Sequence, residues 1–257
     1  MLDWLIRRDR ALMTFGLAVT TVLAWLYLVR ANVAMNAMAA EAQTHVAMGM
    51  ADMRMWGLSD WLQLFAMWAV MMVAMMLPSA APMILLVLNV YRRRGDEQAR
   101  LASVMFVSGY VLAWTAFSAA AAALQVLLHH TAVLAPDMRF KSAPLSGVVL
   151  ILAGVYQWLP IKSLCLTHCQ SPLRFLSEHW REGAGGGLTM GLDHGLFCVG
   201  CCWLLMTLLF VLGVMNLFWV AVLAAFVLIE KLAIRGVAIT RIAGIGAAAW
   251  GVYLLVR

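Results

Sequence analysis

Long apolar runs separated by short charged segments dominate the pattern of hydrophobic and polar positions along this chain. A run of about 20 apolar residues is long enough for an α-helix to cross the hydrocarbon core of a bilayer. The predicted spans are Ala11–Val29, Trp61–Tyr91, Leu101–His129, Leu145–Leu159, Leu188–Met215, Leu217–Ile229 and Ile242–Val256. We therefore expect an all-α fold, a polytopic transmembrane helical bundle of about seven spans that forms one integral membrane domain over residues 1–257.

The composition supports this class of protein. Hydrophobic residues make up 65% of the 257 positions and charged residues only 12%, whereas a soluble domain carries about a quarter charged residues. The N-terminal segment is similar in pattern to a secretory signal peptide, but the apolar run Ala11–Val29 is long for the core of such a signal. We interpret it as an uncleaved first span.

The net charge of +6 is distributed in a way that argues against nucleic acid as a partner. Most Lys and Arg residues lie in four clusters between apolar runs, namely Arg7, Arg8 and Arg10; Arg92, Arg93, Arg94 and Arg100; Lys162, Arg174 and Arg181; and Lys231, Arg235 and Arg241. Basic residues concentrate on the cytoplasmic side of membrane proteins. The pattern predicts a multi-pass protein of the bacterial inner membrane, with a cytoplasmic N-terminus and the lipid bilayer as its surroundings.

The fifth predicted span carries the most informative motif, MGLDHGLFCVGCCWLLM at positions 190–206. On an α-helix His194, Cys198 and Cys201 fall within roughly 60° of arc, and Cys202 lies at the edge of that stripe. Imidazole and soft sulfur on one face suit Cu(I) or Zn(II). A single Cys here could simply pack as a small apolar side chain, but three with His194 favour a metal site. Asp193 points roughly 100° away from the stripe, so it is a candidate ligand at the margin of the site or, alternatively, a hydrogen-bond partner of a neighbouring helix.

Methionine is the second concentrated residue type, since twelve of the 19 methionines lie between positions 35 and 83. Met67, Met71 and Met75 are spaced by four in the second span and share one helical face. One helix cannot enclose an ion, so we expect Met71 or Met75 to complete the shell around the thiols. The alternative is that these methionines face lipid or fill gaps in the core.

Two loops are long enough to contribute ligands. The predicted outer loop, residues 30–60, contains His45 with a methionine group made up of Met35, Met38, Met48, Met50, Met53 and Met55. Thioethers suit Cu(I) and tolerate an oxidising compartment; the same residues could instead form an interfacial helix. The proline pair in Pro78–Pro82 is expected to interrupt the second span, either as a kink or as a break that lines a pocket.

The predicted inner loop, residues 160–187, contains the sequence CLTHC, in which Cys165, His168 and Cys169 would share one face of a helix. They could form a second metal station, fold against Cys198 to complete a shared site, or be incidental. The odd number of cysteines, five, argues against a disulfide framework. Glu230 and Lys231 end the sixth span, where we expect a local ion pair or side chains that reach the interface. The glycines Gly244, Gly246 and Gly251 predict close helix packing.

Three stretches, WAVMMVAMMLPSAAPM, DHGLFCVGCCWLLM and EKLAIRG with RIAGIGAAAWGVYLL, together resemble a bacterial family of predicted metal-binding integral membrane proteins that is known as a domain of unknown function. The resemblance extends from about Trp61 to the C-terminus, and the DHG-x-x-C-x-x-CC element is its most distinctive part. It implies a polytopic membrane fold and metal binding, and it brings no established activity.

Our leading hypothesis is a membrane protein that binds a soft transition metal, most simply copper with zinc as second choice, and either transports it or delivers it to a membrane metalloenzyme or metallochaperone. The expected route runs from His45 and the outer methionines through Met67, Met71 and Met75 to His194 and the thiols, and ends at Cys165, His168 and Cys169. Such a protein is a carrier rather than an enzyme, and an oligomer is compatible with it. The alternatives are a membrane thiol oxidoreductase or cofactor-binding protein using Cys198, Cys201 and Cys202, and a structural or assembly subunit of a membrane complex.

Overall fold

The computed structural model describes residues 2–47, 57–135, 138–214, 216–233 and 236–257, with the side chains of 2, 3, 5, 6 and 36–47 excepted. Within these ranges the helices are α1 (Leu2–Ala47), α2 (Leu58–Arg93), α3 (Ala99–His130), α4 (Ala143–Tyr156), α5 (Pro160–Gln170), α6 (Pro172–His179), α7 (Gly183–Thr207), α8 (Leu209–Leu212), α9 (Leu217–Leu232) and α10 (Gly236–Val256). One isolated β-bridge, between Leu134 and Phe140, interrupts this all-helical pattern. The predicted all-α bundle is confirmed.

Among the residues that the structure describes, five helical stretches are long and apolar enough to cross a membrane, and they lie within α1, α2, α3, α7 with α8, and α10. The fourth predicted span is a pair of helices, α4 and α5, which meet at an angle of 63° and add a sixth crossing if they count as one span. The sixth predicted span corresponds to α9, which has 16 residues and is therefore short for a bilayer crossing. The number of spans is thus five or six by length and composition, against the seven predicted.

Both predicted loops contain helices. The helix α1 continues through the first part of the predicted outer loop to Ala47, because residues 31–47 are rich in Ala and Met and contain neither Gly nor Pro. The predicted inner loop forms α5 and α6, each of which begins with a proline in its first turn. Proline suits that position because the first backbone N–H groups of a helix need no intrahelical acceptor.

Of the two interpretations of Pro78–Pro82, the break is wrong, since α2 continues as one helix through both prolines. Local and tertiary donors support the backbone there. The hydroxyl groups of Ser79 and Tyr110 both donate to the carbonyl oxygen of Met76, at 2.8 and 3.2 Å. Membrane helices tolerate proline where side chains of this kind satisfy backbone groups.

The side chain of Asp9 links several helices at one end of the bundle, which we call the basic end. Its buried carboxylate accepts hydrogen bonds from Arg92 at 2.6 Å and from Arg100 at 2.7 Å, which joins the start of α1 to the connection between α2 and α3. Tyr91 donates to the carbonyl oxygen of Arg181 at 2.7 Å. Three of the four basic clusters therefore have members at the same end, as the charge pattern predicts.

Close backbone packing holds α7, the helix with the three cysteines, against α3. A Cβ atom added at Gly187 would lie 2.1 Å from the carbonyl oxygen of Ala102, and one at Gly191 would lie 2.0 Å from that of Phe106. Real Cβ atoms do not approach so closely, so only glycine permits this contact. The glycines position the cysteine helix directly beside α3.

The pair α4 and α10 is joined in the same way. A Cβ atom at Gly244 would lie 2.8 Å from the carbonyl oxygen of Gly154, and one at Gly251 would lie 2.6 Å from that of Gly147. The predicted close packing is confirmed for these two glycines. At Gly246 an added Cβ atom would meet open space.

Candidate functional site

The three cysteines of α7 are completely buried and lie together. The sulfur atoms of Cys201 and Cys202 are 3.2 Å apart, and Cys201 donates to the carbonyl oxygen of Cys198 at 3.2 Å. All five cysteines of the chain are free thiols. The helical spacing that predicted a common stripe therefore corresponds to a compact group of buried sulfur atoms.

A fourth thiol comes from α5. The side chain of Cys169 interacts directly with those of Cys198 and Cys201. We call Cys169, Cys198, Cys201 and Cys202 the thiol cluster. Cys165, one turn earlier on α5, places its sulfur against Gly200. The CLTHC motif thus contributes one of its two cysteines to the cluster, and this is the shared arrangement that the sequence left open.

A lysine that the sequence analysis did not assign to the site contacts the thiol cluster. The ammonium group of Lys231, at the end of α9, donates to the sulfur of Cys198 at 2.7 Å and to the hydroxyl oxygen of Ser79 at 3.1 Å. The hydroxyl group of Tyr110 lies 3.1 Å from the same sulfur. A neighbouring cation favours the thiolate form of a cysteine, which is the form that binds metal.

The expected pairing of Glu230 with Lys231 was wrong, because these adjacent side chains diverge on α9. Glu230 forms a buried ion pair with Lys162 at 2.7 Å and accepts a hydrogen bond from Thr240. The carbonyl oxygen of Glu230 also accepts from the side chain of Gln170 at 2.7 Å. Consecutive residues on a helix point about 100° apart, so each partner lies on a different neighbouring helix, and both lysines are buried inside the bundle.

His194 lies one turn before Cys198 and is buried among aromatic rings. Its ring centroid is 5.8 Å from those of Phe106 and Tyr110, and 5.2 Å from that of Phe175. The Nδ1 atom is buried and has no hydrogen-bond partner in the part of the chain that the structure describes. A buried polar nitrogen without a partner is costly, which makes it a candidate ligand beside the thiol cluster.

His168 and Asp193 lie apart from the sulfur atoms. The His168 ring stacks on Phe197 with centroids 4.3 Å apart, and its Nε2 atom lies 3.5 Å from a carboxylate oxygen of Glu178. Arg174 donates a hydrogen bond to Glu178, and this lowers the pKa of that carboxyl group. Asp193 is half-buried on α7, and no side-chain hydrogen bond or ion pair is described that joins it to the thiol cluster.

The predicted methionine ligands are buried in α2. Met67 and Met71 line a small cavity of about 20 Å³, together with Asn32 of α1 and Leu217 at the start of α9. Met75 is buried in the core. The side chains of His45 and of the predicted outer methionines, apart from that of Met35, lie outside the described part of the structure.

The thiol cluster is packed sulfur to sulfur rather than arranged around an open centre. Across the described ranges, no three or more His, Cys, Asp and Glu side chains are arranged to hold a metal ion. Two sulfur ligands of a tetrahedral zinc ion would be about 3.8 Å apart, given zinc–sulfur distances of about 2.3 Å. The 3.2 Å separation of Cys201 and Cys202 is shorter, so the sulfur atoms must separate before an ion can enter.

Sequence reasoning missed Lys231 and its contact with Ser79. Buried ionisable groups in apolar helices are functional candidates by default, and this signal was present at Lys231 in the sequence. The adjacent Glu230 led us to expect a local ion pair with Lys231 instead. Only the packing of α9 against α2 and α7 brings the ammonium group to the sulfur of Cys198.

A protein-family model described as "PpoB2: Copper chaperone" matches residues 65–254 of the chain. No curated protein and no solved structure matches it. The matched range contains all four members of the thiol cluster and Lys231. It supports copper handling, and it supports the resemblance to predicted metal-binding membrane proteins at the level of a copper-related family.

Proposed function

The chain belongs to the copper chaperone family described as PpoB2, and from this premise we propose that it binds Cu(I) as cargo at the thiol cluster and delivers it to a membrane metalloenzyme or metallochaperone. The five long apolar helices support a multi-pass protein of the bacterial inner membrane. The observation that carries the proposal is the contact of 2.7 Å between Lys231 and the sulfur of Cys198, one of three buried thiols that the half-buried Cys169 joins.

The chemistry of the thiol cluster suits a soft monovalent ion. Thiolates select Cu(I) over hard cations, and Cu(I) accepts as few as two of them. One Cu(I) held by two thiolates has a net charge of −1, which the ammonium group of Lys231 would balance in a buried site.

Delivery requires that the ion can also leave. Cys169 belongs to the short helix α5, whereas the other three thiols belong to α7. A small displacement of α5 would separate Cys169 from Cys198 and open the cluster. The ion would then pass between neighbouring soft ligands, with one sulfur exchanged at a time.

The methionines supply a route toward the thiol cluster in this proposal. Met67 and Met71 would hold Cu(I) transiently in their cavity, where their thioether sulfur atoms are the soft ligands among the described lining residues. Met75 would pass the ion to the thiol cluster, and His194 would join it there. His45 and the outer methionines would collect the ion before this step.

The decisive experiment measures metal bound to anaerobically purified protein. We expect about one copper ion per chain in the wild type and none in the variant Cys198→Ser, Cys201→Ser, Cys202→Ser. The matched control is Cys165→Ser, which removes a thiol that lies against Gly200 outside the thiol cluster. Its copper content is expected to equal that of the wild type.

Two results would overturn the proposal. Equal copper content in the triple variant and the wild type would place the metal elsewhere in the chain. Zinc at one ion per chain, retained when the protein is offered excess Cu(I), would keep the site but exclude copper as its cargo.

A thiol oxidoreductase remains the second candidate, because Cys198 and Cys201 have the C-x-x-C spacing and Cys201 and Cys202 lie 3.2 Å apart. In such a reaction two thiols would be oxidised to one disulfide while a substrate disulfide is reduced to two thiols. This function predicts disulfide exchange by metal-free protein, measured by thiol trapping and mass spectrometry. A carrier predicts no such turnover.

A further inference from the structure

Two histidines of α5 and α6 form a pair that the copper route proposed above does not use. His168 comes directly before Cys169 on α5, and His179 is the last residue of α6. Their ring centroids are 6.2 Å apart. His168 stacks on Phe197 with centroids 4.3 Å apart, and His179 stacks on Phe175 at 4.7 Å. These stacked contacts hold the two imidazole rings next to each other.

The hydrogen bonds of the two rings leave the lone pair on the same nitrogen. The Nδ1 atom of His168 lies 2.9 Å from the carbonyl oxygen of Leu164, and that of His179 lies 3.3 Å from the carbonyl oxygen of Phe175. A carbonyl oxygen can only accept a hydrogen bond, so Nδ1 carries the proton and Nε2 of the neutral ring carries the lone pair. Metal-binding histidines are commonly oriented by such a bond from the other ring nitrogen.

The carboxylate of Glu178 lies close to both histidines. Its Oε2 atom is 3.5 Å from Nε2 of His168, and its Oε1 atom accepts a hydrogen bond from Arg174 at 2.9 Å. Glu178 is also close enough to His179 for the two side chains to interact electrostatically. A carboxylate oxygen and a neutral imidazole nitrogen both present lone pairs, so their approach favours a cation beside them.

This histidine pair lies on the way from the thiol cluster to the basic end. Phe175, on which His179 stacks, contacts the ring of His194 at 5.2 Å on the side of the thiols. Trp180 follows His179 directly and packs on Tyr91 with ring centroids 4.6 Å apart. Tyr91 belongs to the basic end, which the charge pattern places on the cytoplasmic side. Both histidines are half-buried, so a soluble acceptor can reach them.

We propose that His168 and His179 form a two-coordinate exit station, which takes Cu(I) from the thiol cluster and presents it to a metallochaperone at the basic end. The inference rests on the function proposed above. Two metal–nitrogen bonds of about 2 Å each, together with the radii of the rings, account for the 6.2 Å between the ring centroids. Imidazole suits copper but is a less soft ligand than thiolate, which favours release. The carboxylate of Glu178 offsets the charge of the ion.

The transfer is a ligand exchange in which copper remains Cu(I). The bond from copper to the sulfur of Cys169 breaks as a bond to Nε2 of His168 forms. The bond to the sulfur of Cys198 then breaks as the second nitrogen bond, to His179, forms. The thiolate of Cys198 regains its contact with Lys231, and the thiolate of Cys169 takes up a proton from water.

The first measurement detects the exit station without the thiol cluster. The variant Cys198→Ser, Cys201→Ser, Cys202→Ser is loaded anaerobically in detergent with one equivalent of Cu(I) and studied by X-ray absorption spectroscopy. We expect scattering from two imidazole rings. This signal should disappear when His168→Phe and His179→Phe are added, because phenylalanine keeps an aromatic ring in each stack but supplies no nitrogen ligand.

The second measurement follows the release of Cu(I) from protein with an intact thiol cluster to the soluble chelator bathocuproine disulfonate. In the variant His168→Phe, His179→Phe we expect release to slow roughly tenfold, with the copper content of the wild type. The variant His168→Met, His179→Met supplies soft ligands again and should release copper faster than the phenylalanine variant. The matched control His130→Phe, which replaces an exposed histidine at the C-terminal end of α3, leaves the rate unchanged.

Three results would overturn the inference. Imidazole scattering that persists in the phenylalanine variant would assign the copper to other histidines, such as His194. Equal release rates in the wild type and the phenylalanine variant would remove the pair from the exit route. Equal slowing in the phenylalanine and methionine variants would show an effect of packing. A wild type without copper would instead contradict the function proposed for the thiol cluster, and the X-ray absorption measurement would still report on the histidines.

Discussion

Two lysines are buried inside this bundle, and they differ in the anion that each one meets. Lys162 pairs with the carboxylate of Glu230 at 2.7 Å, and Lys231 donates to the thiol sulfur of Cys198 at the same distance. Both ammonium groups need a partner, because an isolated charge in an apolar interior is very costly. The contact of Lys162 with Glu230 is therefore structural, whereas a metal ion can replace Lys231 at the sulfur of Cys198.

A carboxylate is a hard ligand, whereas a thiolate is a soft one. Cu(I) therefore gains little by displacing Lys162 from Glu230, but it gains strong bonds when it binds the sulfur of Cys198. Glu230 also bonds to α10 through Thr240. We conclude that the Lys162–Glu230 pair fixes the end of α9, and that Lys231, the next residue, is thereby held at the thiol cluster.

The substitution Glu230→Gln removes the carboxylate that pairs with Lys162 and is expected to have the largest effect. It leaves Lys162 buried without a counter-charge, and breaking a buried pair in this way costs about 3–5 kcal/mol. The free energy of unfolding, measured in detergent by denaturant titration, should fall by that amount. The double variant Lys162→Met, Glu230→Leu removes both charges and should recover most of the loss. A single variant as stable as the wild type would contradict a structural role for the pair.

Lys231→Met tests the second contact, between the ammonium group of Lys231 and the sulfur of Cys198. Without the ammonium group Cys198 loses the cation that favours its thiolate form, and we expect Cu(I) affinity to fall about 10- to 100-fold, as for other groups that support metal ligands. Competition with a colorimetric Cu(I) chelator measures this. Lys231→Arg keeps the charge and should retain more of the affinity. Unchanged affinity in Lys231→Met would mean that the ammonium group has no part in binding.

The two cysteines of α5 provide a comparison with a smaller expected effect. Cys169→Ser removes a member of the thiol cluster and should lower Cu(I) affinity by roughly tenfold, since three softer ligands remain. Cys165→Ser should leave it unchanged, because that sulfur lies against Gly200. The same chelator competition applies, and equal losses in both variants would show that α5 contributes through its fold alone.

The exposed ion pair of Arg174 and Glu178 on α6 should show the smallest effect. Its hydrogen bond lowers the pKa of Glu178, so its stabilising contribution is present above the ordinary pKa range of Glu and is lost as pH falls through the lowered value. Because exposed pairs contribute little, Glu178→Gln should leave the unfolding temperature unchanged at neutral pH. A clear decrease would contradict the small contribution expected of this carboxylate, which also lies 3.5 Å from His168.

Much of the fold follows from local pattern, and less of the site does. The apolar runs predict the long helices, and the spacing of His194, Cys198 and Cys201 predicts their common stripe on α7. The sequence predicted a common face for CLTHC only on the condition that the segment is helical. It could not predict the contact of this motif with the thiols of α7, because that contact depends on the bend of 63° between α4 and α5. The sequence also could not predict that α2 continues through Pro78 and Pro82. This continuity depends on hydrogen bonds to the carbonyl oxygen of Met76, and one of their donors, Tyr110, lies on another helix.

By itself the sequence determined that this chain forms apolar helices, that its basic clusters fall between them, and that one helix carries three cysteines and a histidine. These properties follow from hydrophobicity and helical periodicity, which act over a few turns of chain. The tertiary structure alone decided that Cys169 joins the thiols of α7 and that Lys231, rather than its neighbour Glu230, faces them. These contacts join residues more than 25 positions apart, and helix packing rather than local preference brings their side chains together.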